Sequence, residues 1–226
     1  MLDRPAWCAT LFSRGTLPMC RRRNILAAQI QIALFLFATC GLTSEREQAV
    51  LSYSTERNMV KYADLLVEEE RYTTAGLRYQ KKYHRHLIGI AGEIVENRKL
   101  AVEKHSIGFY YDKRSGDTRS LYLGLDIDAG SRGGKPFERI AVDLIRSDLA
   151  NIMQTIHACR SVFNEGDIAG MVIGWKWTAG AAREHLSVWI TKADFIRYED
   201  DLLTFDGMLQ RSTITNTRGR VIRLPL

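Results

Sequence analysis

Proline and cysteine are both scarce in this chain, and each scarcity excludes something. Only 4 of the 226 residues are proline, and none lies between Pro18 and Pro136. Proline breaks helix interiors, so that long interval is open to helix. Only 4 residues are cysteine, and Cys159 is alone beyond residue 40. One cysteine makes neither an internal disulfide nor a cysteine-based metal cluster. Cys159 shares an apolar helical face with Ile152 and Ile156, which predicts a small buried hydrophobe. His157 is two positions away and points to another face, so it is no base for the thiol. The 5 histidines show no zinc spacing. No Gly-x-Ser-x-Gly elbow supports a nucleophilic hydrolase. There is no internal repeat and no low-complexity tract.

What is present begins near the N-terminus. Arg21-Arg22-Arg23 precede Ile25 to Phe37, a stretch in which only Gln29 and Gln31 are polar. Cations, a short apolar run and a small-residue exit are the layout of an export signal. The run is shorter than the roughly 20 residues that span a bilayer core.

Phe37-Ala38-Thr39-Cys40 resembles the lipobox of bacterial lipoproteins. In that family the cysteine becomes the first mature residue and carries the lipid. Phe37 replaces the usual Leu, and Thr39 the usual Gly, Ala or Ser. The resemblance implies lipidation at Cys40, a membrane anchor and a place in the cell envelope, facing the periplasm. Gly41 favours outer-membrane sorting over the inner-membrane retention that Asp gives there. Two other fates stay open: cleavage without lipid near Ala38 to Gly41, and an uncleaved leader on a membrane-anchored sensor. Arg22-Arg23-Asn24-Ile25-Leu26 also looks like a twin-arginine signal. Residues 1–18 fit none of this, and Met19 gives a conventional start.

The formal charge of +6 owes much to the leader. Residues 1–40 hold five of the 32 basic residues and one of the 26 acidic ones, leaving 27 against 25, or +2. That balance carries no nucleic-acid footprint. A hydrophobic fraction of 46% predicts a folded chain.

The organisation reads as an export signal over 1–40, a helical region over 41–104 and an α+β domain over 105–226. Ser44 and Glu47 have capping-box spacing. Met59, Tyr62, Ala63 and Leu66 have helical spacing, as do Leu87, Ala91, Ile94 and Val95. The region predicts either a long stalk or a hairpin broken at Thr73-Thr74-Ala75-Gly76. Strands are predicted at 107–113, around 121–127, at 168–177, around 186–190, at 211–217 and at 221–224. A helix from Pro136 to about Val162 carries the stripe Phe137, Ile140, Ala141, Leu144, Ile145, Leu149, Ile152, Ile156 and Cys159. Ala193 to Asp201 reads as a short helix. The sum is an antiparallel sheet with one main helix packed on it.

Candidate sites are few. The glycine loop from Ala129 to Pro136 fails as a P-loop, with Ala129 at the first glycine position and Pro136 at the hydroxyl position. Asp126 and Asp128 are two apart, on one side of a strand end. They are the only acids on which a periplasmic enzyme is plausible. Lys81 to His86 form a basic run, suited to anionic lipid, to peptidoglycan or to solvent. Trp175, Trp177 and Trp189 suggest a face for a protein partner or a sugar. No catalytic, cofactor or metal residue is assigned. The expectation is a lipid-anchored envelope protein with a binding or assembly role.

Overall fold

The computed structural model describes residues 45–69 and 73–226. The leader, Cys40 and Ser44 lie outside the described residues. So does the first half of the expected capping box. Its other half, Glu47, is engaged elsewhere: His86 Nε2 lies 3.0 Å from Glu47 Oε1, and Ser161 donates to the same oxygen at 2.5 Å.

No single helix runs through 45–104, because the sequence restarts the helix several times. Residues 45–52 are helical. Helix α1 is Glu56–Lys61, α2 is Thr74–Lys82, and α3 is His84–Gly92, which continues as a π turn over Glu93–Asn97. Thr55 and Thr73 are N-caps, their side chains accepting from the backbone N–H groups of Asn58 and Gly76. Each such cap is worth about 1 kcal/mol. Thr73 therefore begins a helix at the point where the sequence places a break between two.

The short helices are not a stalk. Leu87, Ile88, Ile90, Ala91 and Ile94 are fully buried in the same core as the sheet. The described residues from 45 onward cluster as one compact unit. Three basic–tyrosine pairs clamp the helices down. Lys61 and Tyr62 share Glu96, Arg78 and Tyr79 share Asp167, and Lys82 and Tyr83 share Glu165. In each pair the cation also lies over the neighbouring ring, at 4.7 to 5.3 Å. The basic run is thus largely spent on internal contacts. Lys82 holds Glu165, His86 meets Glu47, and Arg85 Nε donates to Ser54 Oγ at 3.3 Å.

The remainder is α+β. Strand β1 is Gly108–Tyr111 and β2 is Leu121–Ser131. Helix α4, Phe137–His157, follows. Then come β3 at Ile168–Ala179, β4 at Ala182–Thr191, α5 at Lys192–Glu199, α6 at Phe205–Arg211 and β5 at Thr213–Asn216. The strands lie side by side in chain order. The sheet is mixed, which corrects the antiparallel expectation. β2 and β3 pair in parallel, and the other neighbours are antiparallel. The intervening helix α4 is the cause, because a parallel pair needs a long crossover. Val221–Leu224 is not a strand; it contributes one bridge, Val221 to Thr215. Thr204 caps helix α6, its side chain accepting from the Gly207 N–H.

The alternation of each strand separates the two faces. Leu121, Leu123, Leu125 and Ile127 of β2 are buried, as are Met171, Ile173, Trp175 and Trp177 of β3 and Leu186, Val188 and Ile190 of β4. They form one core with the stripe of α4. Cys159, at the end of that stripe, is fully buried. A fully buried Leu or Ile contributes about 1.5–3 kcal/mol. The intervening residues form the other face, which carries the polar chemistry.

Candidate functional site

That second face gathers four polar side chains from three strands. Asp126 of β2 pairs with Gly174 of β3, and Gly174 pairs with Ser187 of β4. One pair further along, Lys176 faces His185. Lys176 Nζ lies 2.7 Å from Asp126 Oδ2. His185 Nε2 lies 3.5 Å from Asp126 Oδ1, and Ser187 Oγ lies 3.1 Å from the same Nε2. The Asp126 backbone is fixed as well: its N–H donates to Ser106 Oγ, and its carbonyl accepts from the Glu103 N–H.

Gly174 makes the meeting sterically feasible. A Cβ there would stand 2.0 Å from Asp126 Oδ1 and 2.8 Å from His185 Nε2. Burial works against the charge on Asp126. The His185 hydrogen bond and the Lys176 ammonium outweigh it and hold the carboxyl below its ordinary 3.8.

This geometry limits the chemistry. A serine–histidine–aspartate relay places serine and carboxylate on opposite ring nitrogens. Here both approach Nε2, so His185 does not pass a proton from Ser187 to Asp126. An effective general acid has its pKa near working pH. Asp126 is shifted the other way and stays ionised at neutral pH. What the cluster offers is a fixed set of charges and hydrogen-bonding groups. Further along the face, Tyr122 packs edge-on to Trp189 with ring centroids 5.2 Å apart, and Arg114 lies 5.4 Å over the Trp189 ring.

The expected residues part company here. Asp128 is exposed and accepts from the Gly130 N–H at 2.9 Å, which shapes the strand end. Trp175 and Trp177 do share a face, but it is the core face, where they are 0% and 1% exposed. Trp175 Nε1 donates to Asp148 Oδ2 at 3.2 Å. Of the three tryptophans only Trp189, half-buried, lies on the polar face. In the glycine loop, Lys135 is held by Asp143 at 2.9 Å. Sequence reasoning passed over Lys176, His185 and Ser187, which stand 50, 59 and 61 positions from Asp126. Their one local signal is a polar residue at alternate positions of an apolar strand.

Among the described residues no group of three or more His, Cys, Asp or Glu is placed to hold a metal ion. None of their helices is long and apolar enough to cross a membrane. No protein-family model, curated protein or solved structure matches this chain.

Proposed function

We propose that this is an exported protein of the bacterial cell envelope, anchored through lipid on Cys40, whose folded unit binds rather than catalyses. The observation that carries the reading is the leader: Arg21-Arg22-Arg23, the apolar run to Phe37, and Phe37-Ala38-Thr39-Cys40. The binding surface is the outer sheet face, with the Asp126–Lys176–His185 cluster beside the Tyr122–Trp189 pair. Charge next to an aromatic surface suits a polar partner such as peptidoglycan or an envelope protein.

The test is an intact mass of the protein extracted from membranes of a bacterial host, wild type beside Cys40→Ser. A chain beginning at Cys40 plus lipid, lost in the variant, is the expected result. An unlipidated chain cut near Ala38 to Gly41 rejects the anchor and leaves a secreted domain. A full-length, unlipidated chain rejects the lipoprotein reading and leaves a tethered sensor or a cytosolic protein.

The meeting of Asp126 with His185 and Lys176 favours a second reading, a periplasmic enzyme working through that carboxylate. Asp126→Asn combined with Asp128→Asn separates the two. Full complementation of a deletion strain by the folded double variant eliminates the enzyme.

A further inference from the structure

A cleft of about 440 Å³ opens where residues 45–52, the π turn and the ends of α4 and α5 meet. It shares no residue with the outer sheet face. Its charges are of both signs and come from separate elements. Arg46 comes from the first helical stretch, and Glu93 and Arg98 from the two ends of the π turn. Tyr198, Glu199 and Asp201 come from the end of α5.

The two arginines are under-used. The Nε of Arg98 is buried and donates no hydrogen bond. Glu93 Oε1, at 3.6 Å, is an ion-pair partner beyond hydrogen-bond length. Buried donors are almost always satisfied, and Arg98, which lines the cleft, makes no side-chain hydrogen bond among the described residues, so its guanidinium is open to an acceptor there. Arg46 is exposed and makes no hydrogen bond or close ion pair among the described residues, although its charge reaches Glu199. On the acidic side, Glu199 Oε2 lies 3.1 Å from His157 Nδ1, with both side chains largely buried. The Asp201 carboxylate is exposed and has no partner among the described residues.

We propose that this cleft binds a small zwitterion, an α-amino acid or a free dipeptide, with its carboxylate on Arg46 and Arg98 and its ammonium on the exposed Asp201 carboxylate, beside the Glu199 carboxyl. A simple anion would meet the carboxylates of Glu93 and Asp201. A simple cation would meet two guanidinium groups. A ligand carrying both charges satisfies both sets. The planar fork of arginine suits a carboxylate, and the volume suits a small molecule. The site requires neither export nor lipid, so it stands apart from the envelope reading.

The test is calorimetric titration of the purified chain with alanyl-alanine. The same titration is made with N-acetyl-alanyl-alanine, which lacks the ammonium, and with alanyl-alanine amide, which lacks the carboxylate. The free dipeptide is expected to give saturable binding, and each blocked form to bind at least about tenfold more weakly. Arg98→Gln and Arg46→Gln are each expected to weaken binding by about the same factor. Arg46 makes no internal bond, so Arg46→Gln decides if Arg98→Gln folds poorly; an unchanged unliganded Tm certifies its fold. Absence of saturable binding at millimolar dipeptide overturns the proposal. So does a blocked form that binds as well as the free one, or full affinity in Arg46→Gln. None of these results bears on the mass of the membrane-extracted protein.

Discussion

Asp126 reaches His185 across the bare backbone of Gly174, with Oδ1 and Nε2 3.5 Å apart. Glycine weakens a strand interior, since it packs nothing and loses more conformational freedom on folding. Its presence at the centre of β3 is explained by what passes over it.

Gly174→Ala is therefore expected to destabilise the fold by about 1–3 kcal/mol, the range for overpacking a filled site. In an Asp126→Ala background the same substitution is expected to cost much less, because the nearest atom it would strike is gone and His185 Nε2, at 2.8 Å, lies at the end of a side chain that can shift. Urea denaturation of the four proteins in this cycle makes the comparison. Equal costs in both backgrounds would show that the obstruction is not Asp126.

The carboxyl of Asp126 is depressed below 3.8, with the His185 bond and the Lys176 ammonium overcoming burial. A depressed acid contributes stability that is present above its unfolded pKa and lost as pH falls through its folded one. Asp126→Asn is expected to cost about 1–3 kcal/mol at neutral pH, since Lys176 loses its partner. The variant is also expected to lose less stability than the wild type on acidification below about pH 4. Chemical denaturation at neutral and acid pH checks both. Parallel pH curves would remove Asp126 from the acid response.

Burial raises the Glu199 carboxyl to about 7, against the pull of Arg46 and Arg160 and aided by Asp200 and Asp201. Burial also pushes His157 below 6.5, with Arg160 and Arg46 adding to the effect and Asp200 opposing it. A raised acid keeps a proton that the unfolded chain has released. Its stability is complete below the ordinary 4.5 and is lost as pH rises through about 7. Glu199→Gln is expected to relieve that loss, gaining on the order of 1–3 kcal/mol at pH 8 and much less at pH 5. Thermal melts at the two pH values measure it. Destabilisation at pH 8 would mean that Glu199 is held there as the anion of an ion pair with His157.

Cys159 is fully buried, and burial pushes its thiol well above the ordinary range. In the native protein the peptide containing it should resist N-ethylmaleimide, and in guanidinium it should label fully. Rapid native labelling, read by mass spectrometry, would show that the end of α4 opens in solution.

Some of this architecture is legible in the sequence, and the reasons differ by element. The stripe from Ile140 to Cys159 names α4 because a helical period survives any context. The parallel pairing of β2 with β3 is not legible, since alternation identifies a strand's faces but not its neighbour's direction. Trp175 and Trp177 are readable as sharing a side; which side is core depends on α4 lying over it. Lys176, His185 and Ser187 join Asp126 only through the registers of three strands. The threonine caps at 55, 73 and 204, and at 191, whose side chain accepts from the Asp194 N–H to open α5, are hidden for another reason. None has Glu or Gln three positions on, where a capping box would announce it.

The parallel seam between β2 and β3 also divides the molecule in time. β1 and β2 close through a nine-residue loop over 112–120, and β3 and β4 through the two-residue turn Gly180-Ala181, with Gly180 at φ 63°. Each hairpin joins residues close in sequence, at little cost in chain entropy. The seam joins Leu121 to Ile168 and Asp128 to Lys176, and so waits until α4 has formed and folded back. The expected order is two quick hairpins and one slower closure, so substitutions in the seam should slow refolding more than substitutions in either hairpin turn, which stopped-flow refolding checks.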